Sequence, residues 1–128
     1  RNQENINFIK DSMFAATNEP GGTSYGSRHN KKEFTFAGKT GSSQIKRFTA
    51  EQREAEVKQK DITYLERDHA WFVGFAPVKN PKYAISVLVE HGGSGSSAAA
   101  PVAKKVIKKI IERDVKRSKD YYQSGESV

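Results

Sequence analysis

Two apolar runs, residues 69–76 and 82–90, sit five residues apart and constrain this chain more than any other feature. Both read as strands. The first, centred on Trp71, Phe72 and Val73, is closed by Pro77, and Asn80-Pro81 is a turn signal. A gap of this length suits an antiparallel hairpin.

The flanks add helices. In residues 4–18, Ile6, Ile9, Met13 and Phe14 recur at helical spacing, up to the breaker cluster from Asn18 to Gly22. A polar loop follows to Lys32. Residues 33–48 read as an extended strand interrupted by glycine, with Gly38 and Gly41 flanking Lys39-Thr40. Glycine weakens a strand and often marks close approach of backbone to a ligand. Residues 49–60 are highly charged and read as a short solvated helix or a mobile connection. Residues 91–97 read as a flexible glycine-serine loop. Residues 98–116 read as a strong helix, with Ala99, Val102, Ala103, Val106, Ile107 and Ile110 as one apolar stripe, lysines opposite and Pro101 in the first turn. Residues 118–128 read as a frayed, flexible tail, which leaves 1–117 as the domain. The order helix, strand, strand, strand, helix indicates an α+β fold with an antiparallel sheet. Three strands under two helices make a thin core, so an absent partner is expected.

Composition excludes several function classes. With no cysteine among 128 residues, disulfides, thiol catalysis and cysteine-ligated metal are ruled out. No run of roughly 18 apolar residues is present to span a membrane. No signal peptide is visible, and an opening on Arg1 without methionine suggests that upstream sequence was removed. The net charge of +7 is compatible with nucleic acid, an anionic membrane or an anionic ligand. The basic run Lys104, Lys105, Lys108, Lys109, Arg113, Lys116 and Arg117 occupies the polar face of the last helix with Glu112 and Asp114 mixed in. It reads as a solvated face, not a nucleic-acid interface. His29, His69 and His91 lack metal spacing and read as surface or strand histidines, and no metal site is expected. Trp71 and Phe72 read as sheet core.

The chemistry lies in Lys39-Thr40-Gly41-Ser42. An ammonium and short hydroxyls hold a carboxylate by charge-assisted hydrogen bonds. A glycine lets a ligand backbone lie against a strand edge, and the next amide N–H can point at a developing oxyanion. Alone, the tripeptide is weak, and the rival reading is a non-enzymatic basic binding module carrying a chance K-T-G strand. The surroundings carry more. Asp11 to Phe14, Asn18-Glu19-Pro20-Gly21-Gly22-Thr23, Phe36 to Gln44, His69 to Pro77 and Tyr83 to Gly93 resemble, in order and spacing, the class B penicillin-binding proteins of the penicillin-binding protein 2 type, involved in elongation and cell shape. The resemblance covers about residues 4–115.

That resemblance implies a β-lactamase/transpeptidase-like fold, with the three strands here part of a five-stranded sheet. It implies a peptidoglycan D,D-transpeptidase, without cofactor, anchored in the bacterial inner membrane and working in the periplasm on stem peptides, with β-lactams as inhibitors. Lys39 would supply positive potential for the terminal carboxylate, Thr40 would hydrogen-bond it, and Gly41 would admit the ligand. Ser42 would give its backbone N–H to the oxyanion hole, its hydroxyl facing the carboxylate. The family also needs S-x-x-K and S-x-N motifs. No S-x-N occurs, and the one S-x-x-K, Ser43 to Lys46, lies on the expected strand, where residues three apart point to opposite faces. The nucleophile is therefore expected outside this chain. Alone, the chain should not acylate, and its open sheet edge should drive self-association or pairing with the missing half of the domain.

Overall fold

The computed structural model describes residues 2–47, 49–51 and 61–125. The charged segment at 49–60 lies almost entirely outside the described residues.

Helix α1 spans Gln3–Asn18. The Asn2 side chain caps it, accepting from the Glu4 N–H at 2.9 Å. It ends where Glu19 turns extended before Pro20. Only its C-terminal part packs. Thr17 is buried and Met13 and Phe14 are half-buried, whereas Ile6, Phe8 and Ile9 are exposed. The apolar spacing that predicts the helix thus runs further along it than the packing does.

Three strands follow, β1 (Ala37–Ser43), β2 (His69–Ala76) and β3 (Tyr83–Val89), in the antiparallel order β1-β2-β3. The register runs from Ala37 opposite Phe75 to Ser43 opposite His69, and from Ala70 opposite Val89 to Ala76 opposite Tyr83. The hairpin lies where the two apolar runs place it, and β2 closes at a cis Ala76–Pro77 peptide. β1 is shorter than the expected 33–48. Lys32–Phe34 forms a 3-10 turn, and beyond Ser43 the partner strand β2 has run out at His69.

Helix α2, Ala100–Gly125, is entered through a π-helical turn, Gly95–Ala99, where the sequence suggested a loose loop. It continues past Ser118, at which a frayed tail was expected. Its buried side chains are Ala100, Ala103, Ile107 and Ile111, joined by Ala99. These recur at three- and four-residue spacing along one line. Val102 and Val106, expected in the same stripe, flank that line and are 41% and 40% exposed. Val106 and Ile110 instead border a groove beside Tyr83 and Ile85 of β3. Tyr83 donates its hydroxyl proton to the Asp114 carboxylate, pinning α2 to β3, and that bond raises the phenol pKa. Glu112 approaches Lys108 at 3.6 Å and Lys109 at 4.0 Å, as on a solvated face.

The core lies between α2 and one face of the sheet. Phe36 and Phe72 are fully buried there, edge to face at 5.8 Å, with Ala70, Ala76 and the α2 residues around them. Burying a ring of this kind contributes about 1.5–3 kcal/mol. Because side chains alternate along a strand, Trp71, Val73 and Phe75 face the other way. Phe72 is core as expected, but Trp71 is only half-buried and lies on the opposite face. There Val73 and Leu88 are 45% and 43% exposed. No helix among the described residues is long and apolar enough to cross a membrane.

Candidate functional site

The candidate site is the outer edge of β1, and its geometry starts at Gly38. A Cβ at Gly38 would lie 2.1 Å from Cζ of Phe72, so packing against Phe72 requires glycine here. Thr17, at the end of α1, occupies the edge beside it. The Gly38 N–H donates to Thr17 Oγ1 at 3.1 Å, and Thr17 Oγ1 donates to the Gly38 carbonyl at 3.2 Å. A side-chain hydroxyl thus stands where a neighbouring strand would.

That pair of bonds fixes the direction of the next residues. In an antiparallel ladder, alternate residues direct both backbone groups toward the partner strand or away from it. With Gly38 facing away from β2, Thr40 and Ser42 face away as well, and their N–H and C=O groups line the free edge. Gly41 is held between. Opposite Trp71 in the ladder, it is capped by Gly95 of the π-helical turn, where a Cβ would come within 2.4 Å of the Trp71 carbonyl and 2.8 Å of the Gly41 carbonyl.

The side chains follow. Lys39 is exposed and reaches round the edge, its Nζ donating to the Thr40 carbonyl at 2.8 Å. Among the described residues no carboxylate pairs with it. Thr40 shares its side of the strand with Ser42 and donates its hydroxyl proton to Thr23 Oγ1 at 3.2 Å. Ser42 Oγ donates to the Gly93 carbonyl at 3.5 Å. Lys39, Thr40, Gly41 and Ser42 therefore form one continuous wall.

Sequence reasoning missed the residues that set this wall. Ser24 is buried and anchors the loop to α1: its N–H and Oγ both donate to the Ala16 carbonyl, and its Oγ lies 3.2 Å from Thr17 Oγ1. Gly22 lets the loop pass, since a Cβ there would strike the Ala16 carbonyl at 2.5 Å. Asn18 Nδ2 donates to the Phe36 carbonyl at 2.9 Å. The one signal for them was a set of hydroxyl and amide residues flanking a glycine pair, which also describes an ordinary turn.

The S-x-x-K at 43–46 assembles nothing. The strand ends at Ser43, and Lys46 Nζ is held by Glu66 at 2.8 Å, which lowers the Glu66 carboxyl pKa. His69 and His91 meet at the far end of β1, with ring centroids 4.8 Å apart. The His91 N–H donates to His69 Nδ1 at 2.9 Å, which puts the proton of neutral His69 on Nε2.

His29 sits apart from the site, against Phe34 and Phe36 at 5.4 and 6.1 Å, with Nε2 at 3.2 Å from the Lys104 carbonyl. Burial holds its pKa below the usual 6.5; the bond to the Lys104 carbonyl opposes this, and the Lys104 and Lys108 charges reinforce it. A depressed folded value means that the unfolded chain takes up the proton first. The stability is full above about pH 6.5 and is lost as pH falls through the depressed folded value. We expect the thermal midpoint to drop from about pH 7.5 to 5, and His29→Gln to flatten part of that drop. An identical drop in both proteins would remove His29 as its source.

The family described as penicillin binding protein transpeptidase domain matches residues 2–108. The peptidoglycan D,D-transpeptidase MrdA of Salmonella typhimurium is 34% identical over 105 residues, covering 82% of this chain and 16% of MrdA. Among solved structures, PBP2 of Helicobacter pylori in complex with MreC superposes with a TM-score of 0.68 at 32% identity, covering 88% of this chain and 18% of that one. Pseudomonas aeruginosa PBP2, in complex with WCK 5153, gives 0.65 at 33% identity, covering 85% and 20%. A three-stranded antiparallel sheet backed by a helix, with Lys-Thr-Gly on its edge strand, is the sheet side of a β-lactamase-like fold. The chain belongs to the penicillin-binding protein transpeptidase domain family, and within it to the class B, penicillin-binding protein 2 type. It spans about a sixth of the length of the MrdA relative.

Proposed function

We propose that this chain is the C-terminal portion of the transpeptidase domain of a peptidoglycan D,D-transpeptidase, residues 1–117 belonging to the domain and 118–128 forming its tail. It supplies the sheet wall of the active site, and the nucleophilic serine comes from another part of the intact protein. The observation that carries the reading is the outward-facing edge at Thr40 and Ser42, fixed by Thr17 on Gly38, beside the uncompensated Lys39 ammonium.

The chemistry follows from that edge. Lys39 and the Thr40 hydroxyl hold the terminal carboxylate of a D-Ala-D-Ala stem peptide. The peptide lies along β1 over Gly41, where no side chain intervenes. The serine oxygen attacks the amide carbonyl between the two alanines, and the Ser42 N–H donates to the oxyanion that forms. The C–N bond breaks, D-alanine leaves with a proton, and the acyl group passes to an amine of a neighbouring strand. A β-lactam, with its carboxylate beside a strained amide, enters the same wall and stalls at the acyl stage. The scheme uses no metal or cofactor. The parent acts on the periplasmic side of the bacterial inner membrane, to which it is anchored, during elongation and maintenance of cell shape.

The remainder of the domain covers the apolar surface seen here: Ile6, Phe8 and Ile9 of α1, Val73 and Leu88 of the sheet, and Val102 and Val106 of α2. It also extends the sheet to five strands at the open edge of β3. A basic module with a chance tripeptide would rest on the α2 lysines, two of which are engaged by Glu112.

One experiment tests both halves of the reading. The isolated chain and the intact protein are incubated with a fluorescent penicillin and sedimented. The intact protein should label covalently; the isolated chain should not, and should sediment as an associated species. Covalent labelling of the isolated chain would place a nucleophile within it, and a cooperatively folding monomer would show that its apolar surface needs no cover.

A further inference from the structure

We infer that Thr23 is a positioning residue for Thr40, holding its hydroxyl for the substrate carboxylate; this rests on the function proposed above. A hydroxyl carries one proton. In the structure Thr40 spends it on Thr23 Oγ1, 3.2 Å away, across seventeen residues of sequence. To bind a carboxylate, Thr40 must turn that proton toward the ligand, which leaves its oxygen as an acceptor. Thr23 is placed to fill that need. Its own hydroxyl rotates to donate to Thr40 Oγ1 as Thr40 donates to the carboxylate, so the chain of bonds reverses with no net proton transfer. A hydroxyl that accepts a hydrogen bond donates a stronger one.

The placement of Thr23 is built, not incidental. It stands between Gly22, which has no room for a Cβ under the Ala16 carbonyl, and Ser24, which is buried and bonded to Ala16 and Thr17. Thr17 in turn is bonded to both backbone groups of Gly38, two residues before Thr40. One hydroxyl network therefore sets the height of Thr23 and of β1 together. Nothing else among the described bonds requires Thr23 to face Thr40.

The test uses the intact protein with two probes, a penicillin bearing its free carboxylate and the methyl ester of the same penicillin. Second-order acylation rate constants are measured for wild type, Thr23→Val, Thr23→Ala and Thr23→Ser. One neutral hydrogen bond predicts a loss of about 3- to 10-fold with the free acid for Thr23→Val and Thr23→Ala. The ester rate should be unchanged, and Thr23→Ser should behave as wild type. Using two variants that remove the hydroxyl by different shapes keeps the result independent of either one folding poorly. Equal losses on both probes in both variants, or no loss, would overturn the inference. Thr40→Val is run alongside. If it alters the acid-to-ester ratio while the Thr23 variants do not, only the role of Thr23 fails; if it too leaves the ratio untouched, the assignment of Thr40 to the carboxylate fails with it.

Discussion

Replacing Lys39 by methionine in the intact protein should slow acylation by a penicillin about 10- to 150-fold with little change in thermal stability. A hydrogen bond to a charged group is worth about 1.5–3 kcal/mol, and each 1.4 kcal/mol is tenfold. Stability should hold because Lys39 does no structural work that methionine would undo. It is exposed, and among the described residues its Nζ bonds to the Thr40 carbonyl and no carboxylate pairs with it. An ammonium left uncompensated beside a free strand edge is poised for an anion. Lys46→Met serves as the control. That lysine belongs to the S-x-x-K at 43–46 but is tied to Glu66, so its loss should leave the acylation rate alone. A matching loss in both variants would point to a general effect of surface charge, and an unimpaired Lys39→Met would remove the ammonium from the site.

The second large effect is expected at Gly95. Its missing Cβ would lie 2.4 Å from the Trp71 carbonyl, 2.8 Å from the Gly41 carbonyl and 3.0 Å from the Gly41 nitrogen. All three are backbone atoms of the ladder, so no rotamer change can relieve the clash. Either the π-helical turn lifts from the sheet or β1 shifts, and both carry the Lys-Thr-Gly wall out of place. Gly95→Ala should destabilise the protein by about 3 kcal/mol, at the upper end for overpacking. Acylation should fall further than stability alone explains. Gly26→Ala, where a Cβ would meet nothing within 4 Å, should be silent. Thermal midpoints and acylation rates of the two variants decide the matter. A Gly95→Ala protein with the midpoint and rate of wild type would mean that the turn is free to move.

Much of this architecture was legible in the sequence, and what was not has a physical reason. The hairpin stood out because period, turn residues and length agree at each strand, and β2 runs as read, from His69 to Ala76. Lys39 to Ser42 were legible as part of a strand interrupted by glycine. The ends of β1 were not, because they depend on where β2 begins and on the 3-10 turn at Lys32–Phe34. The packing line of α2 was offset because Val102, Ala103, Val106 and Ile107 form a wider apolar face than one sheet covers. Trp71 and Phe72 look alike in composition, and only the register tells which faces α2. The network of Thr17, Ser24 and Gly38 joins residues up to 21 apart through hydroxyls that any turn could contain. No local pattern announces it.

Thr17 also gives the edge of β1 a length. A sheet edge normally extends as far as its strand and accepts any passing chain of matching pitch. Here the slot at Gly38 is already filled from within, so an incoming strand can dock only from Thr40 onward, and β1 stops at Ser43. At about 3.3 Å per residue, four residues offer little more than 13 Å of template. That is a short template for pairing with another chain. The hydroxyl that orders the wall therefore also sets where the unpaired part of that edge begins.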